Sequence, residues 1–406
     1  MLLLSQSRRW NTGATAKRLL AQARRWTADA KAGIPHSRPI VVLGIETSCD
    51  DTAAAVVTGD GCVLGETNRH QHAAHEAFGG IVPSLAASHH MASVGEVVRD
   101  ALRQAGVGGS GGSGRSDGLA GIDAVAVTRG PGMAASLCVG LAAAKTLAAV
   151  HGLPLVGVHH MEAHALVARM GRDGAVAFPF LCVLVSGGHT LTAVAHGVNA
   201  YTAIGATRDD SAGDAFDKVA RELRIPWLTT QDGGGPGAAL ERMAAAGDAA
   251  RFAMPVPMDK SASAASPDFS FSGLKEHVRS LRRANAFDPA IPRDQADVAA
   301  AFQRAAATHL RKKTALAARR ARDMGVAITC IVAAGGVVSN HAVRAALAAV
   351  AAAEGVPLEC PPPRLCADNA VMVAWAGIER LRCGLTDAYT IDFIQRWPLE
   401  ALKGTA

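Results

Sequence analysis

The chain has 406 residues, 49% hydrophobic and 19% charged, which gives room for two domains with substantial cores and excludes a largely disordered polypeptide. Aromatic residues make up 4%, too few for a binder built on extended base-stacking platforms. The net charge of +6 sits at one end: residues 1–39 carry eight basic residues against Asp29 alone, or +7, and the remaining 33 basic and 34 acidic residues leave the body at −1. A body so near neutrality engages nucleic acid through a local patch, not a global field.

The leader is rich in Arg, Ser, Thr and Ala and almost free of acids, the composition of an organelle transit peptide, mitochondrial (matrix) before plastid. Leu2–Leu4 is too short for the apolar region of a secretory signal, and a disordered basic tail is the alternative. Lys145 and His151 break the longest apolar run, so no membrane partner is expected. The eight cysteines (49, 62, 138, 182, 330, 360, 366 and 383) contain no C-x-x-C pair and read as reduced, small core residues.

From Ile40 the chain reads as strand, polar turn, strand, Asp-Gly turn, strand: Ile40–Ile45, then Glu46 to Thr52, then Ala53–Thr58, Gly59-Asp60-Gly61 and Val63–Thr67. Such a meander opens actin-like and sugar-kinase-like domains, with Glu46 here where Asp-x-Gly is usual. His70, His72 and His75 read as polar loop residues, Ser88–Ala105 as a helix, and Gly108–Gly118 as a flexible insertion. Ile122–Thr128 is a buried strand. Arg129-Gly130-Pro131-Gly132 then turns into an Ala-rich helix over 134–151, either as an anion site or as a tight strand-to-helix connection.

Leu155–Val158 leads into His160-Met161-Glu162-Ala163-His164. On a helix, His160 and His164 stack on one face and can form two corners of a metal site. Glu162 lies ~200° around the helix from His160, so the stretch does not carry the glutamate of a zinc protease. A surface helix with two unrelated histidines is the bland alternative.

Phe180–Val185 is a buried strand ending in Ser186-Gly187-Gly188-His189, where glycines let a ligand approach the backbone or simply serve a hairpin. Asp210, Asp214 and Asp217 fall at i, i+4 and i+7, and are expected to share a helix face that needs a cation, sugar hydroxyls or solvent. Gly233-Gly234-Gly235-Pro236 is a second close-approach loop. Ile328–Ala334 runs into Gly335-Gly336 and a helix, a common nucleotide-binding turn. Asp368, in Cys366-Ala367-Asp368-Asn369, is either the N-cap of the helix over 370–382 or a third, hard metal ligand.

The motifs GIETSCDDT, HMEAH, LVSGGHT, DDSAGDAFDK, GGGP, FSFSGLK, AAGGVVSN and CADN occur in one order from Ile40 to about Leu399. Together they resemble the family of tRNA N6-adenosine threonylcarbamoyltransferases and, with the basic leader, its mitochondrial type. The resemblance implies an α/β, actin-like (ASKHA) fold of two lobes with duplicated mixed sheets and flanking helices. The lobes would comprise residues 40–158, completed by 366–400, and residues 159–365, after a disordered transit peptide over 1–39. It further implies transfer of threonylcarbamoyl from threonylcarbamoyl-AMP to N6 of the adenosine 3′ of the anticodon in ANN-decoding tRNAs, with AMP released.

By position, His160, His164 and Asp368 fall on the family's metal ligands, with iron or zinc as the ion. Leu184, Val185, Ser186, Gly187 and Gly188 fall on its substrate loop, and Asp217, Gly235 and Asn340 on its other adenylate contacts. Glu46 is the candidate base for the amine proton, and a homodimer acting alone is the implied assembly. The chain departs from the family at Val338, Ser339 and His341, at Ala367 where the family has Thr, and in the extra glycine before Pro236. A metalloprotease lacks its glutamate here, and an actin-like ATPase or sugar kinase lacks its Asp-x-Gly turn.

Overall fold

The computed structural model describes residues 38–76, 78, 80–107, 118–172, 175–226, 235–260 and 262–402. The leader up to residue 37, the Gly/Ser-rich stretch 108–117, and Gly233 and Gly234 lie outside the described residues.

Two five-stranded mixed sheets form the frame. The first has β1 (Val41–Glu46), β2 (Asp51–Thr58), β3 (Val63–His70), β4 (Ala124–Gly130) and β5 (Leu155–His159) in the order β3-β2-β1-β4-β5. The second has β6 (Phe180–Val185), β7 (Thr190–Gly197), β8 (Ala200–Ala206), β9 (Ile331–Ala334) and β10 (Leu358–Glu359) in the order β10-β9-β6-β7-β8. In each, the first three strands form an antiparallel meander and the last two add in parallel to the first. The same plan is therefore laid down twice, as the actin-like reading expects.

The run Val41–Ile45 is almost wholly buried, because β1 is central and covered on both faces; such strands read as continuous apolar runs instead of alternating ones. Helices α1 (His72–Glu76), α2 (Pro83–Gln104) and α3 (Ala134–His151) belong to the first lobe. The α2 helix begins five residues before the expected Ser88, with Pro83 in its first turn, where a missing N–H costs nothing. By length and composition α3 is apolar enough to cross a membrane, which corrects the expectation that Lys145 and His151 interrupt it. It lies on β4 and α2 through Leu137, Leu141, Ala144 and Ala148, and Lys145 Nζ donates to the Ile391 carbonyl at 2.9 Å.

The second lobe carries α5 (Ala212–Glu222), α6 (Pro236–Ala244), α7 (Ser272–Arg283), α8 (Pro292–Asp323) and α9 (His341–Glu354). The chain then returns to the first lobe. Helix α10 (Ala370–Arg382) packs on β1, β2 and β4, so closely at Gly44 that a Cβ there would sit 2.5 Å from the Ala370 carbonyl oxygen. The seven-residue α4 (His160–Leu166) lies between the sheets: Ala163 and Leu166 join the core of the first, Met161 and Ala165 that of the second, and every residue is buried. The C-terminal stretch straps both lobes, with Tyr389 bonded to the Ala148 and Leu153 carbonyls and Leu399 and Leu402 in the core of the second sheet.

Candidate metal centre

The site is built at the end of β5. His159 caps α4: its Nδ1 accepts from the N–H groups of Met161 (3.1 Å) and Glu162 (3.4 Å), and its Nε2 donates to the Trp397 carbonyl at 3.0 Å. Burial pushes this imidazole down to about 3, which keeps the neutral tautomer that the cap requires. Sequence reasoning missed His159, because caps are sought among Ser, Thr, Asp and Asn. The doubled histidine at a strand end was the available signal.

One turn on, His160 and His164 present their rings edge to face, 4.8 Å between centroids. Asp368 arrives from the loop before α10. Its Oδ1 stands 3.4 Å from His160 Nε2 and 3.1 Å from His164 Nε2, and one ligand atom from each residue lies within 4.8 Å of the others. A bound ion with nitrogen and oxygen ligands at about 2.0–2.2 Å sets its ligands about 3.0–3.5 Å apart, and Asp368 Oδ1 already stands at that spacing from both imidazoles. His164 is fully buried and its Nδ1 has no hydrogen-bond partner among the described residues. Asp368 does not cap α10; Asn369 does, its side chain accepting from the Met372 N–H at 2.8 Å. The carboxylate beside it is thereby free to face the histidines.

Charge favours a cation. Burial lowers the His160 imidazole, but the charges and hydrogen bonds of Asp368 and Glu46 outweigh it and raise the group to about 10. Burial likewise opposes ionisation of Asp368, and His160 more than compensates, holding the carboxyl well below its ordinary range. His164 moves down, mainly through burial. The residues present therefore fit a divalent ion in donor type, spacing and charge.

Glu46, the candidate base, is fully buried at the end of β1. Its Oε1 accepts from the Ser48 N–H at 2.5 Å, and its Oε2 accepts from the Thr128 hydroxyl and lies 3.3 Å from His160 Nδ1. Glu162 points away from the ligands. It is paired with Arg380 Nη1 at 3.0 Å and accepts from the Asn199 N–H at 2.6 Å, a buried knot joining α4, α10 and the β7–β8 turn.

The expected substrate loop, residues 184–188, carries the sequence on towards this centre. Leu184 and Val185 are fully buried strand residues whose side chains enter opposite cores, leaving the backbone to serve a ligand. Ser186 starts a turn closed by its N–H on the His189 carbonyl (2.8 Å) and by its Oγ accepting from the His189 N–H (3.1 Å). Gly187 and Gly188 are exposed, and none of the described residues would meet a Cβ at either, so packing among them does not demand glycine there. Burial and then the nearby charge of His160 lower His189 to about 4, which sets this turn within electrostatic reach of the ligands. Gly335, with φ of 102°, brings the loop after β9 onto the Val185 carbonyl, a conformation and an approach that a side chain would prevent.

Of the other adenylate candidates, Asp217 accepts from the Gly237 N–H at 2.9 Å just past Gly235, the N-cap of α6, and burial raises its carboxyl to about 6. Asn340 caps α9 through the Val343 N–H (3.1 Å) and donates to Gln303 Oε1 at 2.7 Å, which leaves one lone pair and one N–H. The expected acidic helix face does not form: α5 begins at Ala212, after Asp210. Lys275 and Lys218 neutralise Asp210, and Lys218 pairs with Asp214 at 2.6 Å.

Comparison with known proteins fixes the family. The sequence profile of tRNA N6-adenosine threonylcarbamoyltransferase matches residues 62–375. The chain is 42% identical over 367 residues to the protein of that name from Paramagnetospirillum magneticum, covering 90% of this chain and 99% of that one. It is 44% identical over 370 residues to the one from Cereibacter sphaeroides strain KD131, covering 90% and 95%. Among solved structures, HypF of T. kodakarensis superposes with a TM-score of 0.51 at 15% identity, covering 86% of this chain and 49% of that one, a likeness of fold alone. The chain belongs to the tRNA N6-adenosine threonylcarbamoyltransferase family.

Proposed function

We propose that the chain transfers the threonylcarbamoyl group of threonylcarbamoyl-AMP to N6 of the adenosine 3′ of the anticodon in ANN-decoding tRNAs. The observation that carries this reading is the convergence of His160, His164 and Asp368 beside the 186–189 turn in a chain of this family. The adenine amine attacks the carbamoyl carbon, a C–N bond forms as the amine gives up a proton to solvent, the C–O bond to phosphate breaks, and AMP leaves with the electron pair. Because the donor is a mixed anhydride, the step needs no ATP hydrolysis.

The chain's own groups position the partners. Ser186 holds the turn closed, the backbone of Gly187 and Gly188 offers N–H groups to the phosphate, and Asp217 accepts from ribose hydroxyls beside the helix start at Gly235. Asn340 has one donor and one acceptor left for the adenosine. Holding amine and carbonyl in register supplies much of the rate. His160, His164 and Asp368 would hold iron or zinc, since two imidazoles and a carboxylate suit either. Such an ion supplies positive charge and open positions for substrate oxygens.

The reading extends to the cell. The +7 leader supports mitochondrial import to the matrix, with a plastid as the other destination, and the seating of α3 on the first sheet supports action away from a membrane. The resemblance to the mitochondrial type supports a homodimer that needs no second protein. Purified protein with synthetic threonylcarbamoyl-AMP and an unmodified ANN-decoding tRNA should yield N6-threonylcarbamoyladenosine by nucleoside mass analysis. No product from metal-loaded protein would overturn the assignment. A reporter carrying residues 1–39 that stays cytosolic would remove the import reading, and an inactive monomer rescued only by another protein would remove the dimer.

A further inference from the structure

The geometry points to Glu46 as a positioning residue that fixes the tautomer of His160, so that Nε2 is the metal-binding nitrogen. This inference deepens the proposed function and rests on its metal site. Each imidazole has two nitrogens, and only one bearing a lone pair can bind an ion; the other then carries the proton and needs an acceptor. His160 Nε2 is the nitrogen that faces Asp368, at 3.4 Å. Its Nδ1 faces the other way, 3.3 Å from Glu46 Oε2 and 3.3 Å from Ser48 Oγ. A carboxylate can only accept, whereas the serine hydroxyl can play either role. Glu46 is therefore the group that decides which nitrogen keeps the hydrogen.

The carboxylate is itself held in place. It ends β1, the central strand of the first sheet, and is 1% exposed. The Ser48 N–H fixes Oε1, and the Thr128 hydroxyl on β4 fixes Oε2. The side chain accepts three hydrogen bonds at once, which a carboxylate can do and an amide of the same shape cannot. A glutamine at this position with its oxygen toward Ser48 would turn an NH2 toward His160, making Nδ1 the acceptor and leaving the proton on Nε2. With its oxygen toward His160, its NH2 would oppose the Ser48 N–H, donor against donor. The first arrangement reverses the His160 tautomer and the second loses a bond, in both cases without changing the volume. A general base for the adenine amine would instead need an open path to substrate, and Glu46 is enclosed by Ser48, Thr128 and His160.

The test is a zinc titration of metal-free protein against a chromophoric chelator, with no tRNA or donor present. Wild type should bind one equivalent, and Glu46→Gln should bind it about 10- to 100-fold more weakly. Equal affinity in the two proteins would overturn the inference. At zinc concentrations that saturate Glu46→Gln, turnover should return. A variant that is fully loaded yet inactive would instead make Glu46 a base and sink the positioning role. If the variant fails to fold, long-range nitrogen–proton NMR on the wild-type zinc form decides: the proton must reside on His160 Nδ1 with the metal on Nε2, and the reverse pattern refutes it. Wild type that holds zinc but modifies no tRNA would defeat the proposed function while leaving the titration able to judge Glu46.

Discussion

Asp368 and Asn369 are adjacent, both are good caps by type, and only the direction of each side chain separates a ligand from a structural residue. Sequence could pose that alternative and could not resolve it. Asp368→Asn should leave the start of α10 capped, because Asn369 makes that bond, and should abolish stoichiometric zinc binding. Asn369→Ala should do the opposite, costing about 1 kcal/mol by denaturant titration with zinc retained. Full zinc occupancy in Asp368→Asn would break the three-ligand site. The spacing of the paired histidines made a shared helix face legible, with two unrelated surface histidines left as the alternative. The union of Asp368 with residues more than 200 positions earlier was legible only through the family resemblance, because no local pattern encodes a meeting between lobes. Glu46 was legible as a residue and not as a role, since its role depends on a contact with His160 across the sheet.

Among the elements, α4 shows how direction and consequence separate. Its period turns Glu162 away from the ligands, and by direction alone Glu162→Gln would be mild. The opposite face of this helix is not solvent, however, but the buried pair with Arg380. Breaking such a pair strands a charge, so Glu162→Gln should cost on the order of 3 kcal/mol in chemical denaturation, with zinc affinity little changed. An unchanged midpoint would mean that the knot is not sustaining the fold. Helix α8 makes a second case. His309 is fully buried, and its Nε2 accepts from the Ser270 N–H at 3.2 Å, which only the neutral ring can do. Burial and then the charge of Lys313 lower it to about 4. The unfolded chain protonates this group near its ordinary 6.5, so between there and about 4 the unfolded state binds the extra proton, and stability is lost as pH falls through that window. Replacing His309 with Gln should flatten the stability–pH slope there by up to ~1.4 kcal/mol per pH unit, whatever the other buried histidines add in common. Parallel slopes for the two proteins would refute this.

At the scale of the molecule, the repeated strand plan is the part that sequence conveyed best. Continuous apolar runs mark central strands, and turn residues between them mark the meanders. The assignment of 366–400, and with it α10, to the first lobe came from the family resemblance alone, since nothing in the helix's own residues says which sheet it covers. The two halves then diverge at equivalent points. The central strand of one ends in Glu46 behind the metal ligands, and that of the other ends in Val185 and Ser186 at the glycine turn. Each half thus ends the same strand in different side chains, a buried carboxylate in one and a glycine turn in the other.

The enclosure of α4 also sets an order of loading. His164 has no exposed surface and His160 almost none, whereas Asp368 keeps a quarter of its side chain open. Among the described residues, the open surface of the three ligands lies at Asp368, the side from which an ion and the nucleotide of the proposed reaction are expected to approach. The ion must then enter first and leave last, with bound nucleotide acting as a stopper. A chelator such as EDTA should strip zinc from the free protein several-fold faster than from protein saturated with AMP. Equal stripping rates would show a second route to the ion, one that the packing of α4 between the two sheets leaves no room for.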